Sequence, residues 1–296
     1  MTLLSYQVFK TAAEQGSFRK AADLLGLTPS AVSHGISSLE SELGFSLLNR
    51  SKNGVTLTNY GERLLPYVNA VLNSDESLRQ TVAEFNGLKQ GNIKVGCFSS
   101  VCTNWMPEIM YSFQKQYPAI SLELFQGTYD DVVYWIKNGV VDLGFLSVSS
   151  AGDIPIQPLY KDPLLCIVPK GMPVHTRGQT VSVEELRNCQ FVTQRESTDA
   201  DIQNFLKKNN LNVESHYHVV DDLSTIAMVA NGFGICIMPE MVMKDIPYEV
   251  DSYHLDGEAY RIIGIAAPGM QYMAPAVRIF YNQVLERYQQ EEFRNC

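Results

Sequence analysis

No run of about 18 apolar residues occurs in the 296-residue chain, so the sequence offers no membrane span. Its first residues carry no basic start, long apolar run or small-residue cleavage site, which excludes a secretory signal and predicts a cytoplasmic protein. The six cysteines, Cys97, Cys102, Cys166, Cys189, Cys236 and Cys296, form no CxxC pair, and in a reducing compartment free thiols are expected. No Ser-His-Asp order, phosphate-binding glycine loop or paired-carboxylate motif stands out, so no catalytic residue and no cofactor is assigned and no enzyme is expected. Asp130 and Asp131 read as an acidic pair favoured by a helix N-terminus. His216 and His218, two apart on a strand, share a face that suits a metal but lack a third ligand, so no metal is assigned. There is no internal repeat and no low-complexity tract.

Positive charge is also scarce. Lys and Arg number 23 against 32 Asp and Glu, a net charge of −9, which at first argues against nucleic acid. Distribution matters more than the sum. Residues 1–60 hold five basic side chains (Lys10, Arg19, Lys20, Arg50, Lys52) against four acids (Glu14, Asp23, Glu40, Glu42), a net of +1 that leaves −10 for the rest. Hydrophobic residues make up 45% and charged residues 19%, ordinary for a globular protein, and the length suits two or three domains.

The chain is organised around residues 28–43. Thr28 is a good N-cap and Pro29 suits the first helical position. Val32, Ile36, Leu39 and Leu43 form one apolar stripe, while Ser30, Ser33, His34, Ser37 and Ser38 lie opposite, with no acid before Glu40. An ordinary surface helix has such a pattern. So does a helix that lies in the major groove, where hydroxyls and imidazole bond phosphates or base edges and carboxylates would be repelled.

Context favours the groove. A helix over residues 3–15, with Leu3 or Leu4, Val8, Phe9, Ala12 and Ala13 inward, ends at Gly16. Ser17 caps a second helix that Gly26 closes, and the small pair Ala21-Ala22 permits a close crossing. Helix, tight turn and capped polar-faced helix make a helix-turn-helix. After Gly44, Leu47 and Leu48 pack down, and Ser51-Lys52-Asn53-Gly54 turns a hairpin whose return strand holds Val55 and Leu57. This β-wing places Arg50 and Lys52 to reach phosphate or the minor groove. The candidate DNA contacts are therefore Thr28, Pro29, Ser30, Ser33, His34, Ser37, Arg50 and Lys52.

The run Ser17-Phe18, Ala21-Ala22, Leu25, Thr28 to Ser33, Ile36, Leu39-Glu40, Leu43-Gly44, Leu47-Leu48, Arg50, Leu57-Thr58 and Gly61 resembles the N-terminal signature of LysR-type transcriptional regulators. An aromatic is more usual at Leu48, which is a core exchange. Ser30 to His34 differs in detail from other members, so base preference is not carried over.

Leu64, Val68, Val71, Asp75, Leu78, Val82 and Phe85 then alternate spacings of four and three, a narrow heptad seam flanked by polar residues. Two readings fit: a dimerisation helix, which is preferred, or a helix packed on its own domain. Pro66 is positioned to bend it. The resemblance implies pairing through this helix and assembly as a homodimer or homotetramer. Residues 88–92 read as a hinge.

From Ile93 onward strands and helices alternate. A strand at residues 93–98, a helix at 104–117, a strand at 120–125, a helix at 129–138 and a strand at 141–146 predict a mainly parallel sheet. Two extended segments, 154–160 and 164–169, lead to a second lobe, residues 261–267 cross back, and a last helix spans 273–290. The expected fold is a two-lobed α/β effector domain, periplasmic-binding-protein-like, preceded by an all-α winged helix-turn-helix domain and a long dimerisation helix. The boundaries are 1–59 for the winged domain, 60–87 for the helix and 93–296 for the effector domain, with lobe I at 93–162 and 266–296 and lobe II at 163–265.

Ligands of open α/β sheets lie beyond the strand C-termini. The resemblance implies effector contacts there, carried to Ser99, Ser100, Thr128, Ser147 and Gln194, each of which also reads as a simple polar or capping residue. Free N–H groups and hydroxyls over Ser99 to Thr103 suit an anion. Arg195 reads either as a clamp for an acidic ligand or as the partner of Glu196. The expected partners are double-stranded DNA, a small-molecule effector and further copies of the chain, with no membrane. Rival readings are a redox sensor of the same architecture using Cys97 and Cys102, and a small-molecule binding protein that works without DNA.

Overall fold

The computed structural model describes all residues except 52, 53, 88, 195–199, 212, 214–216, 270–272 and 294–296. Three helices open the chain: α1 (Leu3–Gln15), α2 (Phe18–Leu25) and α3 (Pro29–Leu43). Each starts at a hydroxyl cap, from Thr2, Ser17 and Thr28, and each stops at a left-handed glycine, Gly16, Gly26 or Gly44. The wing is an antiparallel hairpin of β1 (Leu48–Ser51) and β2 (Gly54–Leu57), with Arg50 opposite Val55. Val8, Phe9, Ala21, Ala22, Val32, Ile36, Leu39 and Leu47 fill the core between them. Leu3 and Leu4 remain at the surface, because the first turn of α1 projects past that core.

The helix α4 (Asn59–Phe85) runs 27 residues, about 40 Å, and contains Pro66. Its faces divide the two readings of the heptad seam. Val68 joins the core of the winged domain, with Leu64, Leu65 and Leu72 packed beside it. Asn69 and Gln80 are buried against the chain's own lobe I. There Asn69 Nδ2 donates to Asn138 O at 2.8 Å and Asn73 Nδ2 to Gly139 O at 3.0 Å. Gln80 Oε1 accepts from Ala276 N at 3.3 Å. Val71, Leu78, Val82 and Phe85 stay exposed.

Beyond α4, β3 (Gly91–Cys97) starts within the expected hinge. Next come α5 (Ser99–Asn104), α6 (Met106–Gln116), β4 (Ile120–Gln126), α7 (Tyr129–Lys137) and β5 (Leu143–Ser147). The single helix expected at 104–117 is thus two helices that meet at Trp105, where Pro107 opens a new first turn. The two expected extended segments are one strand, β6 (Ile156–Pro169). It is followed by β7 (Thr176–Arg177), β8 (Thr180–Val181), α8 (Val183–Leu186), β9 (Thr193–Gln194), α9 (Ala200–Lys208) and β10 (His218–Val219). The chain continues through α10 (Asp222–Ala230), β11 (Cys236–Pro239), β12 (Val250–Leu255), β13 (Tyr260–Ala266) and α11 (Pro275–Tyr288).

In lobe I, β4, β3 and β5 are parallel, but β13 runs antiparallel to both β5 and β6. In lobe II, β6 pairs antiparallel with β11 and β12. The sheet is therefore mixed rather than mainly parallel. β6 serves both lobes: its first half pairs with β13, and from Leu164 on it pairs with β11 and β12. Separate apolar clusters fill the lobes, one around Phe113, Phe145 and Phe280, the other around Cys166, Phe205 and Ile235. No helix among the described residues is long and apolar enough to cross a membrane.

Candidate functional site

The outer face of α3 presents Ser30, His34, Ser37 and Ser38 to solvent, with Ser33 half-buried. Thr28 Oγ1 is occupied as the cap, accepting from Ala31 N at 3.1 Å. Arg50 comes from the wing and lies along this face. Its Nη1 donates to Ser33 Oγ at 3.2 Å and its Nη2 to Ser37 Oγ at 3.0 Å, while the guanidinium covers the Phe18 ring at 4.9 Å. Glu40 Oε1 accepts from Leu47 N at 2.7 Å and Leu48 N at 3.1 Å, fixing the start of the wing to α3, and its Oε2 lies 3.8 Å from Arg50 Nη2. The first acid of the helix is thereby engaged by the wing. Lys52 lies outside the described residues.

Between the lobes is a cavity of about 290 Å³, and Ser99, Ser100, Thr128 and Gln194 are on its wall. All four already have partners. Ser99 Oγ accepts from Gln126 Nε2 at 2.9 Å, and Ser100 Oγ accepts from Arg261 Nη2 at 2.7 Å. Thr128 caps α7 through Asp131, and Gln194 Nε2 donates to Asp222 Oδ1 at 2.6 Å. The hydroxyls expected to precede a helix are part of it, since α5 begins at Ser99. Ser147 is the exception among the five. Its side chain is fully buried and off the cavity wall, because it is the last residue of β5 and turns inward to Asp201. The wall also carries Asp221, whose carboxyl is held below the usual range by the side chain and backbone N–H of Ser224.

Sequence reasoning missed the charges at the cavity floor. Arg261 and Asp162, 5% and 0% exposed, pair at 2.8 Å where the two crossing strands run side by side. Asp162 Oδ1 also accepts from Met241 N at 3.0 Å. An arginine heading the apolar run of β13 was the available signal, since a charge in such a strand requires a partner.

Cys97 is buried at the end of β3, and burial together with the adjacent Cys102 thiol pushes its pKa up. Burial pushes Cys166 up to about 12. Both shifts disfavour the reactive thiolate. Arg195, Glu196 and His216 lie outside the described residues, and among those described no three His, Cys, Asp or Glu gather as a metal site.

Residues 3–62 match the family model of the bacterial regulatory helix-turn-helix protein, lysR family, and residues 86–289 match the LysR substrate binding domain. The chain belongs to the LysR family. Among its relatives is the uncharacterized HTH-type transcriptional regulator YvbU of Bacillus subtilis (strain 168), 28% identical over 97% of this chain and 99% of that protein. Full-length OxyR C199D from Pseudomonas aeruginosa has the same fold, with a TM-score of 0.79 at 21% identity over 97% of this chain and 95% of that one. Full-length CbnR complexed with its target DNA also matches, with a TM-score of 0.56 at 20% identity over 97% and 99% of the two chains. This LysR-family chain is a ligand-responsive, DNA-binding transcriptional regulator, and the relatives named above are regulators as well.

Proposed function

We propose that this LysR-family regulator works in the cytoplasm as a homodimer or homotetramer whose paired α3 helices enter successive major grooves. Thr28, Pro29, Ser30, Ser33, His34 and Ser37 meet phosphates or base edges there, and Arg50 and Lys52 meet the backbone. A small molecule enters the interlobe cavity beside Ser99, Ser100, Thr128 and Gln194 and shifts the population of lobe angles. The winged domain is 1–59, the helix 60–87, and the hinge the short stretch before β3. The observation that carries this reading is α4. One helix supplies Val68 to the winged-domain core and is bonded through Asn69 and Asn73 to lobe I. A change in lobe I therefore reaches the DNA-binding unit without crossing a flexible tether. Its exposed Val71, Leu78, Val82 and Phe85 support pairing with a second copy.

The test is recovery of sheared genomic DNA on the purified protein, followed by fluorescence anisotropy of recovered fragments at two salt concentrations. Enrichment of a few fragments that outcompete scrambled DNA is expected. Uniform recovery with equal affinity for scrambled sequence would overturn the regulatory assignment of the α3 face.

A further inference from the structure

Asp201 sits in the first turn of α9, in lobe II, yet its carboxylate is held by lobe I. Ser147 Oγ donates to Oδ1 at 2.7 Å and Ser149 Oγ to the same atom at 2.6 Å. Tyr129 Oη donates to Oδ2 at 3.2 Å. The three hydroxyls come from the end of β5, the turn after it and the start of α7, so separate segments of lobe I converge on one carboxylate. Asp201 is 7% exposed and Ser147 is 0% exposed, so the bond between them is shielded from water, whereas Ser149 lies at the surface. Behind them, Arg261 Nη1 donates to Tyr129 Oη at 3.0 Å, and that phenol passes its own proton toward Asp201. A guanidinium thus polarises one of the three donors. A buried carboxylate needs such donors to offset its lost hydration.

We infer that lobe I carries a binding site for a small carboxylate, made by Ser147, Ser149 and Tyr129, and that Asp201 of lobe II occupies it as an internal ligand. Of its three donors, Tyr129 also lines the interlobe cavity. Two consequences follow from the geometry. The lobes stay at their present angle while Asp201 is seated, and a free carboxylate that takes the same hydroxyls releases α9 from lobe I. The second consequence rests on the proposed effector response; the existence of the site does not.

Chemical rescue tests the site directly on the full chain, with formate as the probe. Asp201→Ala empties the cradle by removing the carboxylate that the three hydroxyls share. The variant is expected to melt below the wild type, and sodium formate should raise its Tm by about 3 °C or more relative to the same concentration of sodium chloride. The wild type, with the site filled, should show no such difference, and Asp201→Ala/Ser147→Ala should lose the rescue. Equal formate and chloride curves for Asp201→Ala would overturn the inference. Should Asp201→Ala not fold, Ser149→Ala removes one donor only. Amide exchange over α9 should then rise severalfold while that over β3 is unchanged, and unchanged exchange in α9 would equally overturn it. Neither readout involves DNA, so failure here leaves the regulatory assignment standing.

Discussion

Arg50 illustrates how much one side chain decides at the DNA-binding face. From the sequence it is a wing residue free to reach phosphate; in the fold it bonds Ser33 and Ser37 and stacks on Phe18. That arrangement preorganises a cation above the polar face of α3 and lowers the entropy lost on meeting a phosphate. It also sharpens the effect of a charge at Ser33. Ser33→Glu would place a carboxylate against DNA and, in addition, bring a second carboxylate to Arg50 beside Glu40. Operator affinity should fall by at least roughly thirtyfold, about 2 kcal/mol, while the thermal unfolding midpoint and the oligomeric state stay unchanged. Anisotropy on a fragment recovered from genomic DNA checks this, and retained affinity would remove α3 from the groove. The residues of α3 itself were legible, because caps and an amphipathic stripe are local signals. The bonds from Arg50 to Ser33 and Ser37 span 17 and 13 residues, and no local pattern encodes them. The orientation of Ser147 is non-local in the same way: a strand end identifies a position near a cleft, but the direction of the side chain depends on Asp201, 54 residues away.

At the scale of elements, α4 separates its functions by face. The heptad seam was visible in spacing, but spacing cannot say which part of a seam is already covered. Val68 is taken by the winged domain, whereas Leu78, Val82 and Phe85 remain exposed, leaving the second half of the helix to find a partner. Leu78→Asp combined with Val82→Asp should therefore leave each lobe folded and convert the assembly to monomers. Light scattering coupled to size exclusion reads the mass, and circular dichroism the fold; an unchanged oligomer would show that pairing uses another surface. The opposite face of α4, with Asn69, Asn73 and Gln80, was not foreseen as an interface because asparagine and glutamine look solvent-facing in a sequence. β6 was misread for a different reason. Pro158, Asp162 and Pro163 break its apolar run, yet the strand persists because it changes partners there, from β13 to β11 and β12. Gly264 permits the close passage: a Cβ would lie 2.6 Å from Ile156 Cγ1 and 2.8 Å from Gln157 O. Proline tolerance at a partner switch is a property of the finished sheet.

For the whole molecule the decisive quantity is how charge is divided between its parts. Residues 1–60 carry +1 and the remainder −10, so the lobes repel DNA while the winged domain approaches it. Not every N-terminal cation is available. Lys10 is half-buried and pairs with Glu14 at 3.9 Å, and burial, followed by the nearby Lys94 charge, lowers its pKa. That leaves Arg19, Lys20, Arg50, Lys52 and the neighbouring Arg63 of α4 as phosphate partners in each protomer. If a dimer used all of them, each neutralised phosphate would add about −0.9 to the slope of log K against log salt, giving a limit of about −9. The measured slope of operator binding should therefore lie at or above that limit. The same slope should persist in Lys10→Gln, since Lys10 is half-buried beside Glu14 rather than open to phosphate. A steeper slope, or one that loses about a unit per protomer in Lys10→Gln, would show that cations beyond this set meet the duplex. The acidic body would then sit closer to DNA than its charge predicts.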